Sequence, residues 1–428
     1  MPQHHDGLAG LTVLHLAQPV EGGVARVVVD LVRAQVRAGA RVVVGCPAPD
    51  GPVPYPGRAA DGTAGGGSGG PVGPAPGPAS AYGPVSLGPD PLAAAASCAG
   101  ARVVRWDARR APGPWLARET AAAARVVREA RPDLVHLHSA KAGLAGRLAV
   151  RGTLPTVFQP HAWSFDAVGG PTARAARAWE RYAARWADRV LCVSDAERRA
   201  GLAAGVRARW AVVRNGVDLA RFTPAAEPAA VRAALPALSD AGPGTPLVVC
   251  VGRLCPQKGQ DVLLRAWPAV AAAVPEARLV LVGDGPERQR LLAGAPPGVL
   301  LAGAARDTLP WYQAADVVVL PSRWEGMALA PLEAMACGRP VVTTDVSGAR
   351  ETLHPQDADT CVVPVGDPVA LAAALLRLLA DRPLRTAASL RALAHARAHH
   401  DAARAAADVA ALYQDVLPLP VRPRRLPR

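Results

Sequence analysis

The chain has 428 residues, more than the roughly 250–300 residues at which a single hydrophobic core stops growing, so at least two domains are expected. Half of the residues are hydrophobic and the formal net charge is +13. No apolar stretch reaches the ~18 residues of a membrane-spanning helix, and the first residues lack a signal-peptide pattern, so we expect a cytoplasmic protein. The positive charge favours phosphorylated ligands or an anionic membrane surface, and no nucleic-acid recognition motif is present.

The first part of the chain alternates short apolar runs with segments of helical periodicity. An apolar run at residues 11–16 is followed by a glycine turn, a helical pattern at 24–38 and a second apolar run at 41–45. This order is the building unit of a doubly wound parallel sheet. The alternation continues, after one interruption, to a strand at residues 210–213.

Two segments do not fit this alternation. Residues 47–91 contain GGGSGG and GPAPGP, and this composition predicts a disordered insertion in a surface loop. Residues 418–428 form a basic, proline-punctuated tail that we expect to fray.

A second α/β unit begins near residue 246. Its predicted strands lie at residues 247–251, 278–282, 299–301, 317–320 and 341–343. Helical patterns lie between these strands, and further helical residues run from 368 to 380 and from about 383 to 417. We therefore predict an α/β fold with two Rossmann-like domains that face each other across a cleft. The domains are placed at 1–222 and 223–398, with a C-terminal helix at 399–417 that returns to the first domain.

The segment 324–342, WEGMALAPLEAMACGRPVV, carries two carboxylates around a predicted helix start. Glu325 lies in the loop after an apolar strand, and Glu333 lies on the following helix. Free N–H groups at a helix N-terminus can hold a diphosphate, and carboxylates can accept hydrogen bonds from paired sugar hydroxyls. One glutamate could hold a transferred sugar and the other a ribose. The alternative is a helix-capping glutamate and a salt-bridged one.

The segment 251–259, VGRLCPQKG, places two cations after another apolar strand. Arg253 offers a fork for phosphate oxygens, and Lys258 a compact charge. Lys258 is one of two lysines in a chain whose other basic residues are arginines, the second being Lys141. A solvated surface pair is the alternative interpretation.

Together these motifs resemble the GT4 family of retaining glycosyltransferases, which have the GT-B fold. The resemblance spans nearly the whole chain and depends on short pieces that occur in the family's order. These pieces are Gly22-Gly23, Val193-Ser194, NGVD at 215–218, the Arg253/Lys258 segment, GDGP at 283–286 and the Glu325/Glu333 segment.

The resemblance implies a donor site for a nucleotide-diphosphate-sugar. Arg253 and Lys258 would bind the diphosphate, Glu325 the hydroxyls of the donor sugar, and Glu333 the ribose. His161 falls where the family has a histidine near the reacting sugar, although a loop histidine bonded to backbone remains an alternative. We assign His161, Arg253, Lys258 and Glu325 as the catalytic set.

Backbone groups are expected to complete the donor site. Glycines in the N-terminal domain would let its backbone approach the donor phosphate. The backbone after Glu325 would lie near sugar and phosphate. The residues in question are Gly22, Gly23, Gly326, Met327, Ala328 and Leu329. Met327 departs from the Phe that the family often has, and Ala162 from the usual second Gly after His161.

No cofactor or metal is expected. The resembling family normally needs no metal. His136 and His138 at a strand end are interpreted as structural, because the sequence suggests no third ligand. The seven cysteines are scattered and form no C-x-x-C pair.

The acceptor is predicted to be a sugar, a small molecule or a lipid-linked oligosaccharide. The stretches 138–147 and 161–165 resemble family members that extend lipid-linked oligosaccharides for surface polysaccharides. The helical segment 173–187 interleaves aromatic residues with arginines and could rest on the inner face of the plasma membrane, although inward packing of its aromatics is the favoured interpretation.

Three rival functions remain open. A nucleotide-sugar epimerase of the same fold would need the donor alone. An NAD-dependent oxidoreductase would need G-x-G-x-x-G after the first strand, where residues 21–26 read EGGVAR. A non-catalytic sugar-nucleotide-binding protein would not require Arg253, Lys258, Glu325 and Glu333 to be intact.

Overall fold

The computed structural model describes residues 8–47, 91–109, 113–239, 242 and 244–417. The predicted insertion at 47–91, except for its first and last residues, lies outside the described residues, as does the tail at 418–428. Pro91 is already the first residue of a helix.

The N-terminal domain contains a parallel sheet of seven strands, each buried or half-buried along most of its length. The strands are β1 (Thr12–Ala17), β2 (Arg41–Cys46), β3 (Arg102–Arg105), β4 (Leu134–His138), β5 (Thr156–Gln159), β6 (Arg189–Cys192) and β7 (Trp210–Val212). The helices are α1 (Gly22–Arg37), α2 (Pro91–Cys98), α3 (Leu116–Ala130), α4 (Ser139–Val150), α5 (Gly170–Ala183) and α6 (Asp195–Ala203). The strand order is β3-β2-β1-β4-β5-β6-β7.

The C-terminal domain repeats this plan with six parallel strands. They are β8 (Leu247–Val251), β9 (Arg278–Val282), β10 (Val299–Gly303), β11 (Val317–Leu320), β12 (Val341–Thr344) and β13 (Val362–Val363). Its helices are α7 (Pro228–Ala233), α8 (Gln260–Ala273), α9 (Arg288–Ala293), α10 (Leu309–Ala314), α11 (Leu329–Ala336), α12 (Ala349–Thr352), α13 (Pro355–Cys361), α14 (Pro368–Ala380) and α15 (Arg382–His399). The strand order is β10-β9-β8-β11-β12-β13.

Both sheets are covered by helices on their two faces, which is why their strands are near-continuous apolar runs rather than alternating ones. Separate hydrophobic clusters lie on the two sides of the N-terminal sheet, and one large cluster fills the C-terminal domain. The prediction of two Rossmann-like α/β domains is therefore confirmed.

The helical residues predicted from about 383 to 417 form two helices, and the C-terminal helix placed at 399–417 begins at Ala402. α15 ends at His399, and α16 (Ala402–Val416) begins after Asp401, whose side chain accepts a hydrogen bond from the Ala403 N–H at 2.8 Å. Asp401 also forms an isolated parallel bridge with Val217. A Cβ on Gly216 would lie 2.4 Å from the Ala402 nitrogen, so the two segments cross with no room for a side chain.

Helix α16 packs on the N-terminal domain although it follows the C-terminal domain in the chain. Ala406, Val409, Leu412 and Tyr413 are buried in the same hydrophobic cluster as helix α1. The chain thus passes between the domains twice. Within the described residues, no helix combines the length and apolarity needed to cross a membrane.

Candidate donor site between the two domains

The residues singled out in the sequence follow the carboxyl ends of strands near the centre of each sheet. In each domain the strand order reverses direction between two adjacent strands, β1 and β4 in the first and β8 and β11 in the second. Ligands of open α/β sheets bind at such switch points. Gly22 follows β1, Arg253 follows β8 and Glu325 follows β11, so the two switch points supply most of the candidate site.

Glu325 and Lys258 form a close ion pair in the C-terminal domain. The Lys258 Nζ lies 2.5 Å from Glu325 Oε1, which also accepts a hydrogen bond from the Ser322 hydroxyl at 2.7 Å. Glu325 is 9% exposed. Among the described residues no hydrogen bond reaches Oε2, so that oxygen is available to a ligand hydroxyl.

The loops that carry this pair are tied to each other. The Arg323 N–H donates to the Gln257 carbonyl at 2.7 Å, and the Gln257 side chain donates to the Trp324 carbonyl at 3.0 Å. Gly259, with φ of +65°, lies so close that a Cβ there would be 2.0 Å from the Pro321 carbonyl oxygen. The backbone therefore fixes the position of Lys258 relative to Glu325 before any ligand binds.

Arg253 and Glu333 are both paired with residues of the opposite domain. The Arg253 guanidinium lies 2.6 Å from a carboxylate oxygen of Glu21, which directly precedes Gly22. Glu333 on α11 is buried, forms an ion pair with Arg26 of α1, and accepts a hydrogen bond from the Tyr312 hydroxyl at 2.7 Å. The domains thus close over the residues predicted to hold phosphate and ribose.

Glu21 and Arg26 were not found by sequence reasoning. Glu21 precedes the Gly22-Gly23 pair and Arg26 follows it. Their closeness to that pair in the sequence was the one local feature that could have pointed to them. Burial lowers the pKa of the Arg26 guanidinium.

The glycine segments lie where the two domains approach most closely. The sequence predicted a turn at Gly22 and Gly23 before helix α1. In the structure the two glycines are instead the first residues of that helix, with Gly22 at φ +76°. A Cβ on Gly23 would lie 3.8 Å from Leu329 at the start of α11. The N-terminus of α1 therefore faces that of α11.

The backbone after Glu325 is buried against the N-terminal domain. A Cβ on Gly326 would lie 2.9 Å from the Ala162 nitrogen and 2.9 Å from the His161 carbonyl carbon. The Asn215 side chain donates to the Met327 carbonyl at 2.8 Å. Of the four backbone residues after Glu325, Ala328 alone is partly exposed.

His161 is held in an unusual backbone conformation. Its φ is +56° and that of Ala162 is +115°, a region that favours glycine. The positive φ at residue 162 explains why the GT4 family usually has glycine at the position of Ala162. Within the described part of the chain the His161 ring makes no hydrogen bond to backbone, and its Nε2 instead lies 3.0 Å from His138 Nδ1.

Glu197 on helix α6 stabilises the loop that carries His161 and Ala162. Its carboxylate accepts hydrogen bonds from the N–H groups of Ala162 and Val193, both at 2.7 Å. It is 1% exposed, and burial raises its pKa to about 7 in spite of those two bonds. The pattern Ser194 to Glu197 resembles a capping box, which could have revealed the helix start but not the contact to the His161 loop.

The raised pKa of Glu197 gives a testable pH dependence. The folded pKa lies above the ordinary 4.5, so the folded protein binds a proton that the unfolded chain releases between about pH 4.5 and 7. The stabilisation that this bound proton gives the folded protein is fully present below about pH 4.5 and is lost as the pH rises through 7. We expect the free energy of unfolding of wild type minus that of Glu197→Gln, measured in urea, to decrease between about pH 5 and 8. A difference that stays constant or increases would contradict this.

The structure adds a third histidine to the pair noted in the sequence. His15 of β1 lies beside His136 and His138 of β4, and one nitrogen of each ring lies within 4.8 Å of the others. His15 is distant from His136 in the sequence and was therefore not suggested as a third ligand, but the register of β1 with β4 brings the two residues level. The rings are also joined by hydrogen bonds: His15 Nδ1 lies 2.9 Å from His138 Nε2.

Helix α5 and the 3₁₀ turn that follows it, Ala184–Trp186, present their arginines to solvent. Arg174, Arg177 and Arg181 of α5 and Arg185 of the turn are exposed. Of the aromatic residues on the same segment, Trp179 and Trp186 are half-buried and Tyr182 is 48% exposed. Arg185 stacks 3.7 Å from the centroid of the Tyr182 ring. The inward packing favoured from sequence is thus correct for the two tryptophans and wrong for Tyr182.

Two parallel α/β domains that face each other through the carboxyl ends of their strands, with paired cations and carboxylates between them, define the GT-B class of glycosyltransferases. Residues 245–381 match the family described as "Glycosyl transferases group 1", and residues 21–221 match "Glycosyltransferase Family 4". The chain belongs to glycosyltransferase family 4.

Relatives of known activity support this assignment. A GDP-mannose-dependent alpha-mannosyltransferase of Mycobacterium tuberculosis is 37% identical over 252 residues, which is 57% of this chain and 63% of the relative. The lipopolysaccharide core biosynthesis mannosyltransferase LpsB of Rhizobium meliloti is 30% identical over 56% of this chain and 69% of the relative. HepE of Anabaena, crystallised with UDP and glucose, shares the fold with a TM-score of 0.71 over 94% of this chain and 99% of its own, at 21% identity.

Proposed function

We propose that this chain transfers mannose from GDP-mannose, with retention of anomeric configuration, to a lipid-linked or polysaccharide acceptor. The observation that carries the proposal is the Lys258–Glu325 pair at the switch point of the C-terminal sheet. Mannose and GDP are chosen because the two relatives named above at 30% identity or more are mannosyltransferases, one of them GDP-mannose-dependent.

The residues of the site suit the departure of a nucleoside diphosphate. Breaking the glycosidic bond leaves negative charge on the diphosphate and an oxocarbenium-like sugar. The diphosphate would replace the Glu21 carboxylate at Arg253 and lie beside Lys258 and the free N–H groups at the start of α11. These fixed positive groups stabilise the charge as it develops, which is electrostatic catalysis. The same groups neutralise the charge on the diphosphate as a metal ion would otherwise do, so we propose that the reaction needs no metal.

The sugar and ribose would be held by carboxylates. The free Oε2 of Glu325 would accept hydrogen bonds from hydroxyls of the mannose, and Glu333 would accept from the ribose after exchanging Arg26 for the ligand. We propose that the acceptor hydroxyl attacks from the face that the diphosphate leaves and that the departing phosphate accepts its proton. Closure of the domains excludes water from this reaction.

The acceptor is proposed to reach the site from a membrane surface. The exposed arginines of α5, together with the exposed Tyr182, form a basic and amphipathic face on the N-terminal domain. Such a face is attracted to anionic lipid headgroups. We therefore propose a cytoplasmic enzyme that associates peripherally with the inner face of the plasma membrane.

A donor screen tests the proposal directly. We expect GDP and GDP-mannose to raise the melting temperature of the full chain more than UDP, UDP-glucose or NAD at equal concentration. We also expect slow release of GDP from GDP-mannose, accelerated by a mannosylated lipid acceptor. A larger shift with UDP-glucose would overturn the donor assignment, and formation of an epimer from the donor alone would identify the epimerase alternative.

A further inference from the structure

A chain of hydrogen bonds runs from the candidate active site into the core of the N-terminal domain. His161 Nε2 lies 3.0 Å from His138 Nδ1, and His138 Nε2 lies 2.9 Å from His15 Nδ1. His15 Nε2 lies 2.8 Å from the side-chain oxygen of Gln35 on helix α1. His138, His15 and Gln35 are buried, and His161 is half-buried.

The Gln35 amide turns its oxygen toward His15, and this orientation sets the direction of every bond in the chain. The Gln35 oxygen can only accept, so His15 carries its proton on Nε2 and presents an unprotonated Nδ1. His138 must then donate from Nε2 to His15 and accept at Nδ1. His161 must donate from its Nε2, which leaves its Nδ1 unprotonated.

The Gln35 amide makes a second contact through its other end. The Gln35 NH₂ donates to the Tyr413 hydroxyl at 3.4 Å, and that hydroxyl lies 2.6 Å from His136 Nδ1. In this orientation the hydroxyl accepts from Gln35 and donates to His136. Tyr413 belongs to α16, so the helix that returns to this domain fixes the far end of the chain.

The chain requires neutral rings, because a doubly protonated ring would present two donors and interrupt it. Burial, as the largest cause, lowers the pKa of His15 to about 4 and that of His161 to about 3. It also lowers the pKa values of His136 and His138, with neighbouring histidines adding to the effect. At neutral pH each ring therefore has one protonated and one free nitrogen.

We propose that Gln35 is a positioning residue that acts through His15 and His138 to hold His161 as the Nε2–H tautomer, with Nδ1 free to accept a hydrogen bond from a hydroxyl of the bound sugar. The backbone of His161 lies against Gly326, beside Glu325, and among the described residues no group donates to its Nδ1. The part that concerns the sugar hydroxyl depends on the proposed function, whereas the tautomer does not.

Nuclear magnetic resonance of the full chain labelled with ¹⁵N-histidine tests the tautomer without any substrate. Spectra that correlate ring nitrogens with carbon-bound protons distinguish Nε2–H from Nδ1–H, and a His161→Gln variant assigns the resonances of that ring. We expect Nε2–H at His161 in wild type and a mixture of tautomers in Gln35→Leu. An Nδ1–H tautomer in wild type, or an unchanged tautomer in Gln35→Leu, would overturn the proposal.

Kinetics test the consequence for the reaction. Gln35→Leu should lower kcat by roughly 2- to 12-fold, the value of one neutral hydrogen bond, while the KM for the donor changes less. Val32→Ala, on the same helix and fully buried, removes packing without touching the polar chain and is expected to retain wild-type kcat. If both variants lose kcat in proportion to their loss of melting temperature, Gln35 has a structural role only.

The same spectra address the rival interpretation of these rings as a metal site. Metal-free protein titrated with zinc chloride should keep the ring resonances of His15, His136 and His138 unchanged. Stoichiometric loss of the Nε2–H signals of His15 and His138 would show that the rings ligate a metal, and the proposal would fail. An enzyme inactive with every sugar nucleotide but with the expected tautomers would instead refute the proposed function alone.

Discussion

Replacing Lys258 with alanine is expected to lower kcat/KM for sugar transfer by roughly 10²–10³-fold, the usual cost of removing one fixed charge from the transition state of a group transfer. Lys258 contacts Glu325 at 2.5 Å and lies on a loop fixed by Gly259. The loss should appear mainly in kcat, because the charge on the diphosphate is greatest as the bond breaks. Initial rates with GDP-mannose and a lipid-linked acceptor would measure it.

Two further variants make this result specific. Lys258→Arg keeps the charge, but its longer, planar group must displace Glu325 or Ser322, so we expect less than full recovery. Arg265→Ala removes an exposed cation of the same domain, bonded to Asp261, and should leave the rate unchanged. Wild-type activity in Lys258→Ala with an intact fold would remove Lys258 from the site.

Replacing Gly259 with alanine should reduce the free energy of unfolding of the C-terminal domain by about 3 kcal/mol or more. A left-handed backbone costs a residue with a side chain about 1–2 kcal/mol. Here the added Cβ also lies 2.0 Å from the Pro321 carbonyl oxygen, and backbone atoms cannot move away as a flexible side chain could. Urea unfolding followed by tryptophan fluorescence would measure the loss.

The chain contains matched glycines that separate these two causes. Gly366 has φ +80°, and no heavy atom of the described residues lies within 4 Å of an added Cβ, so Gly366→Ala should cost only about 1–2 kcal/mol. Gly244 has no positive φ and no such neighbour among the described residues, and Gly244→Ala should change stability by less than about 0.5 kcal/mol. Equal losses in the free energy of unfolding in Gly259→Ala and Gly366→Ala would show that the structure adjusts to remove the clash with the Pro321 carbonyl without loss of stability.

The fold could be predicted because its signals are local. Each parallel strand buried on both faces is an apolar run, and each is followed by a loop with its own glycine or charged residue. Glu325 and Lys258 could be singled out as candidates for that reason, since each follows a strand end and adjacent strands of one sheet bring such ends together. The boundary between α15 and α16 was placed within three residues, at 399, but Ala and Arg continue through it, and the contact of Asp401 with Val217 that fixes it is long-range.

The other half of the site could not be read from local patterns. Glu21 and Arg26 meet Arg253 and Glu333 only because the two domains close in a particular orientation. Glu197 reaches the Ala162 N–H from a helix 35 positions further along the chain. His15 becomes the neighbour of His138 through the order of strands in the sheet. Each of these contacts depends on tertiary geometry, which composition and periodicity do not encode.

The position of α16 has a consequence for how the protein is made. The last strand of the N-terminal sheet ends at Val212, but the helix that covers part of that domain's core begins at Ala402. At about 5–20 residues per second, a ribosome delivers that helix roughly 10–40 s after the sheet is complete. During this interval the surface that later binds Tyr413 is open on the nascent chain. The first domain to emerge is thus the last to be finished, and this apolar surface is where a chaperone would bind while translation continues.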